Sequence, residues 1–243
     1  MSRARTFVIG DVHGCLMEVE RLLDAIGPGA IDTVCFLGDY IDRGPDARGT
    51  IERLIRLAAE GPRCVFLKGN HEDMFLAFLG FPGRYGDAFL GNGGDATLAS
   101  YGLLGRSGTE VAQRLPTAHR EFLLALRSYA RLGGHLCVHA GLRPTRKLGE
   151  QDEEDLFWIR HEFSAAAHAF PFTVLFGHTP YRDVFLDLPY KVGLDTGLVY
   201  GNRLSCLEVE HQLLWQIGRG DHQVACRSLA ELLAHRDQRP VLT

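Results

Sequence analysis

Apolar positions recur along this chain with two different periods, and the change of period divides it. Over the first eighty residues, compact runs at 6–9, 33–37 and 64–67 alternate with amphipathic stretches. The runs are rich in β-branched and aromatic side chains and soon meet a glycine, which predicts short strands. Between them Leu16, Val19, Leu22, Leu23 and Ile26, and then Ile51, Leu54, Ile55 and Ala58, each fall on a single helical face. A third, more evenly apolar helix is expected over 71–79. Strand–helix alternation of this kind predicts a parallel sheet covered by helices.

Residues 80–105 carry Gly91, Gly93 and Gly94 and read as a long loop with short helical pieces. A helix is expected over 118–129, where Phe122, Leu123 and Leu126 share a face, and a strand over 136–138. The acidic run 150–155 reads as a solvated surface ahead of a helix-like segment at 156–163. The last third turns to strands at 173–176, 191–194, 203–209 and 212–217, without long helices between them. His211 and Gln212 mark a hairpin, and Ser228 with Glu231 forms a capping-box pattern before Leu229, Leu232 and Leu233. With no repeat and no linker-like tract, a single domain spanning 1–243 is the simplest organisation.

Composition changes this picture little. Hydrophobic content of 46% and charged content of 23% suit a globular protein with a sizeable core. A net charge of −4 gives no general attraction to nucleic-acid polymers or acidic membranes, although bound cations would reverse the local field at a site. The six cysteines form no C-x-x-C pair, and Cys35, Cys64, Cys137 and Cys206 sit in strand-like runs, so reduced, buried thiols are expected. The apolar stretch before Gly10 is too short for a signal-peptide core, and no segment approaches membrane-spanning length; a cytoplasmic location is expected.

The chemistry is concentrated at strand ends. Gly10-Asp11-Val12-His13-Gly14, Gly38-Asp39-Tyr40-Ile41-Asp42-Arg43-Gly44 and Gly69-Asn70-His71-Glu72 follow the first three strands, and His139 and His178 follow two later ones. In open α/β sheets ligands gather beyond the carboxyl ends of the strands, so all five clusters converge on one edge. Any one polar residue there could simply cap the backbone; five glycine-flanked clusters together point to a cation site. Oxygen and nitrogen donors without thiolate suit manganese, iron or zinc better than calcium or magnesium alone, and two divalent ions, manganese first, are expected.

The ordered set GDVHG, GDYIDRG, GNHE, HAG and GHT resembles the phosphoprotein phosphatase family of calcineurin-like metallophosphoesterases. The resemblance implies a central β-sandwich flanked by helices, in four α/β/β/α layers. It assigns Asp11, His13 and Asp39 to one divalent ion and Asp39, Asn70, His139 and His178 to a second. His71 matches the general acid and Asp42 the carboxylate supporting it, while Arg43, Asn70 and, on a shorter motif, Arg160 match groups that hold the phosphate. A water activated between two ions would attack phosphorus directly, without a covalent phosphoenzyme. The first expectation for substrate is a serine/threonine phosphoprotein, and the alternative is a symmetrical dinucleoside tetraphosphate. A third reading, a scaffold of this fold that binds partners without catalysis, is disfavoured by the complete ligand set. Trp158 is expected in the core, and His119, His135, His161, His168, His211, His222 and His235 at surface or satisfied positions, His161 being the one that its neighbour Arg160 could bring near the pocket.

Overall fold

The computed structural model describes residues 3–233. Its first half follows the alternation expected: β1 (Thr6–Ile9), α1 (Leu16–Ile26), β2 (Thr33–Phe36), α2 (Ala47–Glu60), β3 (Arg63–Phe66) and α3 (Asn70–Phe78). The predicted faces are largely the buried ones: Val19, Leu22, Leu23 and Ile26 on α1, and Ile51 and Leu54 on α2, where Ile55 is half-buried and Ala58, in the last turn, is exposed. The Asp46 side chain accepts from Gly49 N at 2.7 Å and fixes the start of α2. Three short helices follow, α4 (Gly94–Ser100), α5 (Gly108–Arg114) and α6 (Thr117–Leu124).

The rest of the chain comprises β4 (Tyr129–Leu132), β5 (His135–Val138), α7 (Glu153–Trp158), α8 (His161–Ser164), β6 (Thr173–Phe176), β7 (Phe185–Asp187), β8 (Lys191–Gly193), β9 (Arg203–Glu208), β10 (Leu213–Gly218), β11 (Ala225–Ser228) and α9 (Leu229–Leu233). The strands form a six-stranded sheet, β11-β10-β9-β1-β2-β3, and a five-stranded sheet, β4-β5-β6-β8-β7. Within the first, β1, β2 and β3 are parallel; within the second, β5, β6 and β8 are.

Side-chain alternation builds the layers. On β1, Val8 faces the inter-sheet core while Phe7 and Ile9 face the helices; on β6, Leu175 faces the inter-sheet core while Val174 and Phe176 face α7 and α8. Both faces of each central strand are therefore buried, which is why these runs read as continuously apolar. The result is the expected α/β/β/α arrangement of two packed sheets flanked by helices.

Local differences have local causes. The helix expected over 118–129 stops at Leu124, and Tyr129 instead pairs with Val138 in an antiparallel ladder. The segment 156–163 is two helices broken at Ile159 and Arg160, whose backbones leave helical angles. The acidic run is not all solvated: Glu153 and Glu154 are exposed, but Asp155 is buried beneath Arg143, whose Nε donates to it at 2.9 Å. Of the cysteines, Cys226 is exposed and Cys64 only partly buried; all six are free. The 209–212 hairpin and the Ser228–Glu231 capping box are both present. His235 lies outside the described residues. No helix among those described is long and apolar enough to cross a membrane.

Candidate metal centre and active site

The carboxyl ends of β1, β2, β3, β5, β6 and β8 deliver their polar residues to one cleft. Asp39 is its centre. It follows Gly38 (φ +112) and itself sits at φ +52, a left-handed conformation that costs energy for a non-glycine residue and needs outside support. Support comes from the Glu72 carboxylate, which accepts the backbone N–H of Asp39 at 2.9 Å, of Tyr40 at 2.7 Å and of Gly69 at 3.0 Å. A Cβ on Gly38 would lie 2.7 Å from Gly69 N, and one on Gly69 would lie 2.1 Å from Asp39 Oδ1, so both glycines are steric requirements of this close approach. The first junction is tied to the second: the N–H groups of Val12 and His13 donate to Asp39 O at 3.1 and 2.8 Å.

Around Asp39 the donor atoms fall into two overlapping groups. His13, Asp39 and His71 offer atoms all within 4.8 Å of one another, as do Asp39, His139 and His178. His13 Nδ1–H donates to Ile41 O at 2.8 Å and His139 Nδ1–H to Leu37 O at 2.9 Å, which turns each Nε2 lone pair inward. These Nε2 atoms lie 3.5 Å from Asp39 Oδ2 and Oδ1 respectively. Asn70 Oδ1 sits 3.0 Å from His139 Nε2 and 2.9 Å from His178 Nδ1. Asp11 enters from β1, its carboxylate accepting His178 N–H at 3.0 Å.

Electrostatics fit this donor set to cations. Burial pushes His13 down to about 3, with His71 adding to the effect, and burial likewise lowers His139 and His178. The neutral form of each ring, the form that can ligate a cation, is thereby favoured, and His13 Nε2 meets Arg43 Nη1 at 3.0 Å. Burial alone would raise Asp39, but the surrounding histidines outweigh it and keep it ionised. Burial and the neighbouring Asp195 and Asp39 charges raise Asp11, and burial pushes Asp195 up to about 6. Three buried carboxylates crowd one cleft, and His178 Nε2 is buried with no hydrogen-bond partner. Divalent cations would neutralise the surplus charge.

Beside this group, His71 Nδ1 lies 2.6 Å from Asp42 Oδ2, both residues being fully enclosed. Burial works against the protonated ring, but Asp39 and Asp42 outweigh it, and His71 is held above its ordinary value. The cleft is a cavity of about 110 Å³, walled by the donors other than His139 together with Arg43, Arg160, Asp195 and Tyr200. Its size suits a phosphoryl group rather than a nucleoside. The Arg43 guanidinium lies over the Tyr200 ring at 5.5 Å, and Arg160 Nη1 donates to His178 O at 3.2 Å.

The family model for calcineurin-like phosphoesterases matches residues 4–206, a span containing every residue of this cleft. The chain is a calcineurin-like phosphoesterase. Members of this family use two divalent cations, and the Asp39-centred donors are residues able to bind them. The phosphoesterase is 28% identical over 227 residues to the asymmetrical bis(5'-nucleosyl)-tetraphosphatase PrpE of Bacillus thuringiensis (strain Al Hakam), covering 82% of this chain and 88% of that one. A crystal structure of a protein provisionally assigned as a diadenosine tetraphosphatase superposes with a TM-score of 0.70 at 25% identity, covering 88% of this chain and 93% of the other. A serine/threonine phosphatase from Saccharomyces cerevisiae shares the fold, with a TM-score of 0.59 at 17% identity over 92% of this chain and 79% of the other.

Of the site residues expected from the sequence of this phosphoesterase, Asp11, His13, Asp39, Arg43, Asn70, His71, Arg160 and His178 line the cleft, while His139 and Asp42 stand behind it. The first donor group is closed by His71 rather than Asp11, although His71 commits its Nδ1 to Asp42. Trp158 is half-buried at the edge of the core and meets His178 and Tyr85 edge-on. His119 is buried and satisfied by Tyr101 and Glu52, and His161 is exposed and off the cavity wall. Asp195, Tyr200 and the bracing role of Glu72 were not anticipated. Asp195 had a readable signal, since it follows β8 just as Asp11 follows β1.

Proposed function

We propose that this phosphoesterase is a two-cation phosphohydrolase, with Asp11, His13 and Asp39 holding one ion and Asp39, Asn70, His139 and His178 the other. The observation that carries the reading is Asp39, whose two carboxylate oxygens face imidazole nitrogens of separate donor groups. When bound, such a pair supplies an activated water at neutral pH and neutralises charge on the phosphoryl group. Arg43 and Arg160 hold non-reacting phosphoryl oxygens through charge-assisted hydrogen bonds that strengthen as charge develops. Asn70, with its Oδ1 turned to the two imidazoles, has its amide N–H₂ left to donate to the same group. His71 gives a proton to the leaving oxygen. Asp42 fixes the ring through Nδ1, so the proton to be transferred sits on Nε2.

For substrate, a dinucleoside tetraphosphate cleaved asymmetrically takes first place. It is favoured by relatives of that name aligning over nearly their whole length, and the small cavity accepts one phosphoryl unit while the nucleoside lies outside. A serine/threonine phosphoprotein is the second reading, favoured by the His71–Asp42 pair, which serves a poor alkoxide leaving group. Incubation with diadenosine tetraphosphate and manganese, read by chromatography, separates them: the first reading requires ATP and AMP in equal amounts. Two ADP would mean symmetrical cleavage, and turnover only of a phosphoserine peptide would install the second reading.

A further inference from the structure

The glycine-rich segment leading into α4 lies outside the donor set, yet it touches the acid pair. Thr97 Oγ1 donates to Asp42 Oδ1 at 2.6 Å and accepts the Asp42 backbone N–H at 2.8 Å, while Asp42 Oδ2 faces His71 Nδ1 at 2.6 Å. All three side chains are buried to within 1% of full enclosure. A threonine within a helix commonly returns its hydroxyl to the carbonyl of the preceding turn; this one spends its bonds on a residue 55 positions away. Asp42 needs such an anchor, because at φ +69 its own backbone is strained. The next residue is held by the same segment, with Arg43 N donating to Gly93 O at 3.0 Å.

We infer that Thr97 is a positioning residue for proton delivery: its hydroxyl locks the Asp42 carboxylate in the rotamer that aims His71 at the leaving oxygen. The inference rests on the acid role proposed for His71. Loss of the hydroxyl frees Oδ1 and lets the carboxylate turn, so the imidazole loses its fixed direction while the metal donors stay in place. The effect should therefore grow with the basicity of the leaving group.

The test compares T97S with T97A, which differ only in the hydroxyl, using manganese-loaded full-length protein. The readout is the ratio of kcat on phenyl phosphate, a poor leaving group, to kcat on para-nitrophenyl phosphate, a good one. T97A should lower this ratio by about 10-fold, a fraction of the typical contribution of a general acid, with KM and metal content little changed. T97S should restore the ratio. If T97A does not fold, the near-isosteric T97V carries the comparison. H71N serves as the reference. If H71N lowers the ratio and T97A or T97V leaves it at the wild-type value, the inference on Thr97 is overturned and the acid role stands. If H71N itself leaves the ratio unchanged, the acid role fails and the inference falls with it.

Discussion

The two sheets feed the same cleft but hold their contributions differently. On the first sheet the three strand-end turns are braced against one another. Glu72 gathers four amides, Asp39 O takes two more, and Thr97 and Gly93 pin Asp42 and Arg43. On the second sheet His139 and His178 reach across the sandwich, the first to Leu37 O and the second through its N–H to Asp11, while Gly177 N–H and Arg160 Nη1 donate to their carbonyls from the same side. Pre-organisation on the first side is local. On the second it depends on how the sheets are docked, through the core of Val8, Cys35, Leu175 and Val192. The difference teaches that one ion site can be damaged through packing alone, while the other needs an attack on its own turns.

Asp39 belongs to both halves, so its replacement should erase the distinction. Asp39→Asn is expected to lose both ions and about 10³-fold or more in kcat, given what single charge-stabilising groups contribute to such sites. His139→Ala should lose only one ion, and elemental analysis of the two variants side by side checks the contrast. His71→Asn comes next, with a fall of about 10²–10⁴-fold in turnover and both ions retained. Loss of metal from this variant would move His71 into the ligand set.

Leu175→Ala probes the docking of the sheets. Its side chain is fully enclosed between them, so a cost of about 2–5 kcal/mol in unfolding free energy is expected. Titration of apo-protein with manganese should show the ion held by His139 and His178 affected more. Equal weakening of both would remove the distinction between the halves.

The smallest effect is at the far end of the first sheet, where the Asp32 carboxylate accepts Arg5 N and Nη2, each at 2.8 Å, and Gly29 N at 2.9 Å. Burial would raise this carboxyl, but the hydrogen bonds from Arg5 and Gly29 outweigh it and lower it below its ordinary value. A lowered folded-state value means stability present above the unfolded carboxyl's pKa and lost as pH falls through the folded one. Asp32→Asn should accordingly flatten the acid limb of thermal stability and leave metal binding untouched.

Much of the site was legible because its residues obey a local rule: a polar residue after an apolar run, beside a glycine. Asp11, His13, Asp39, Asn70 and His178 announce themselves that way, His139 does so with its glycine one residue further on, and the helical faces of α1 and α2 made the parallel sheet readable. Thr97 and Glu72 escape the rule because their work is done by hydrogen bonds across 55 and about 32 positions, which no spacing encodes. β4 was hidden because Phe122, Leu123 and Leu126 keep a helical period up to its edge, and only pairing with β5 decides Tyr129–Leu132. Ile159 and Arg160 break a helical segment for tertiary reasons of the same kind, placing Arg160 over His178 O.

The central claim is that Asp39 joins two cation sites. Crystals grown with manganese and measured at a wavelength sensitive to that element should show two anomalous peaks, one on either side of the Asp39 carboxylate. A single peak at full manganese saturation, or a pair that does not share Asp39, would contradict the account.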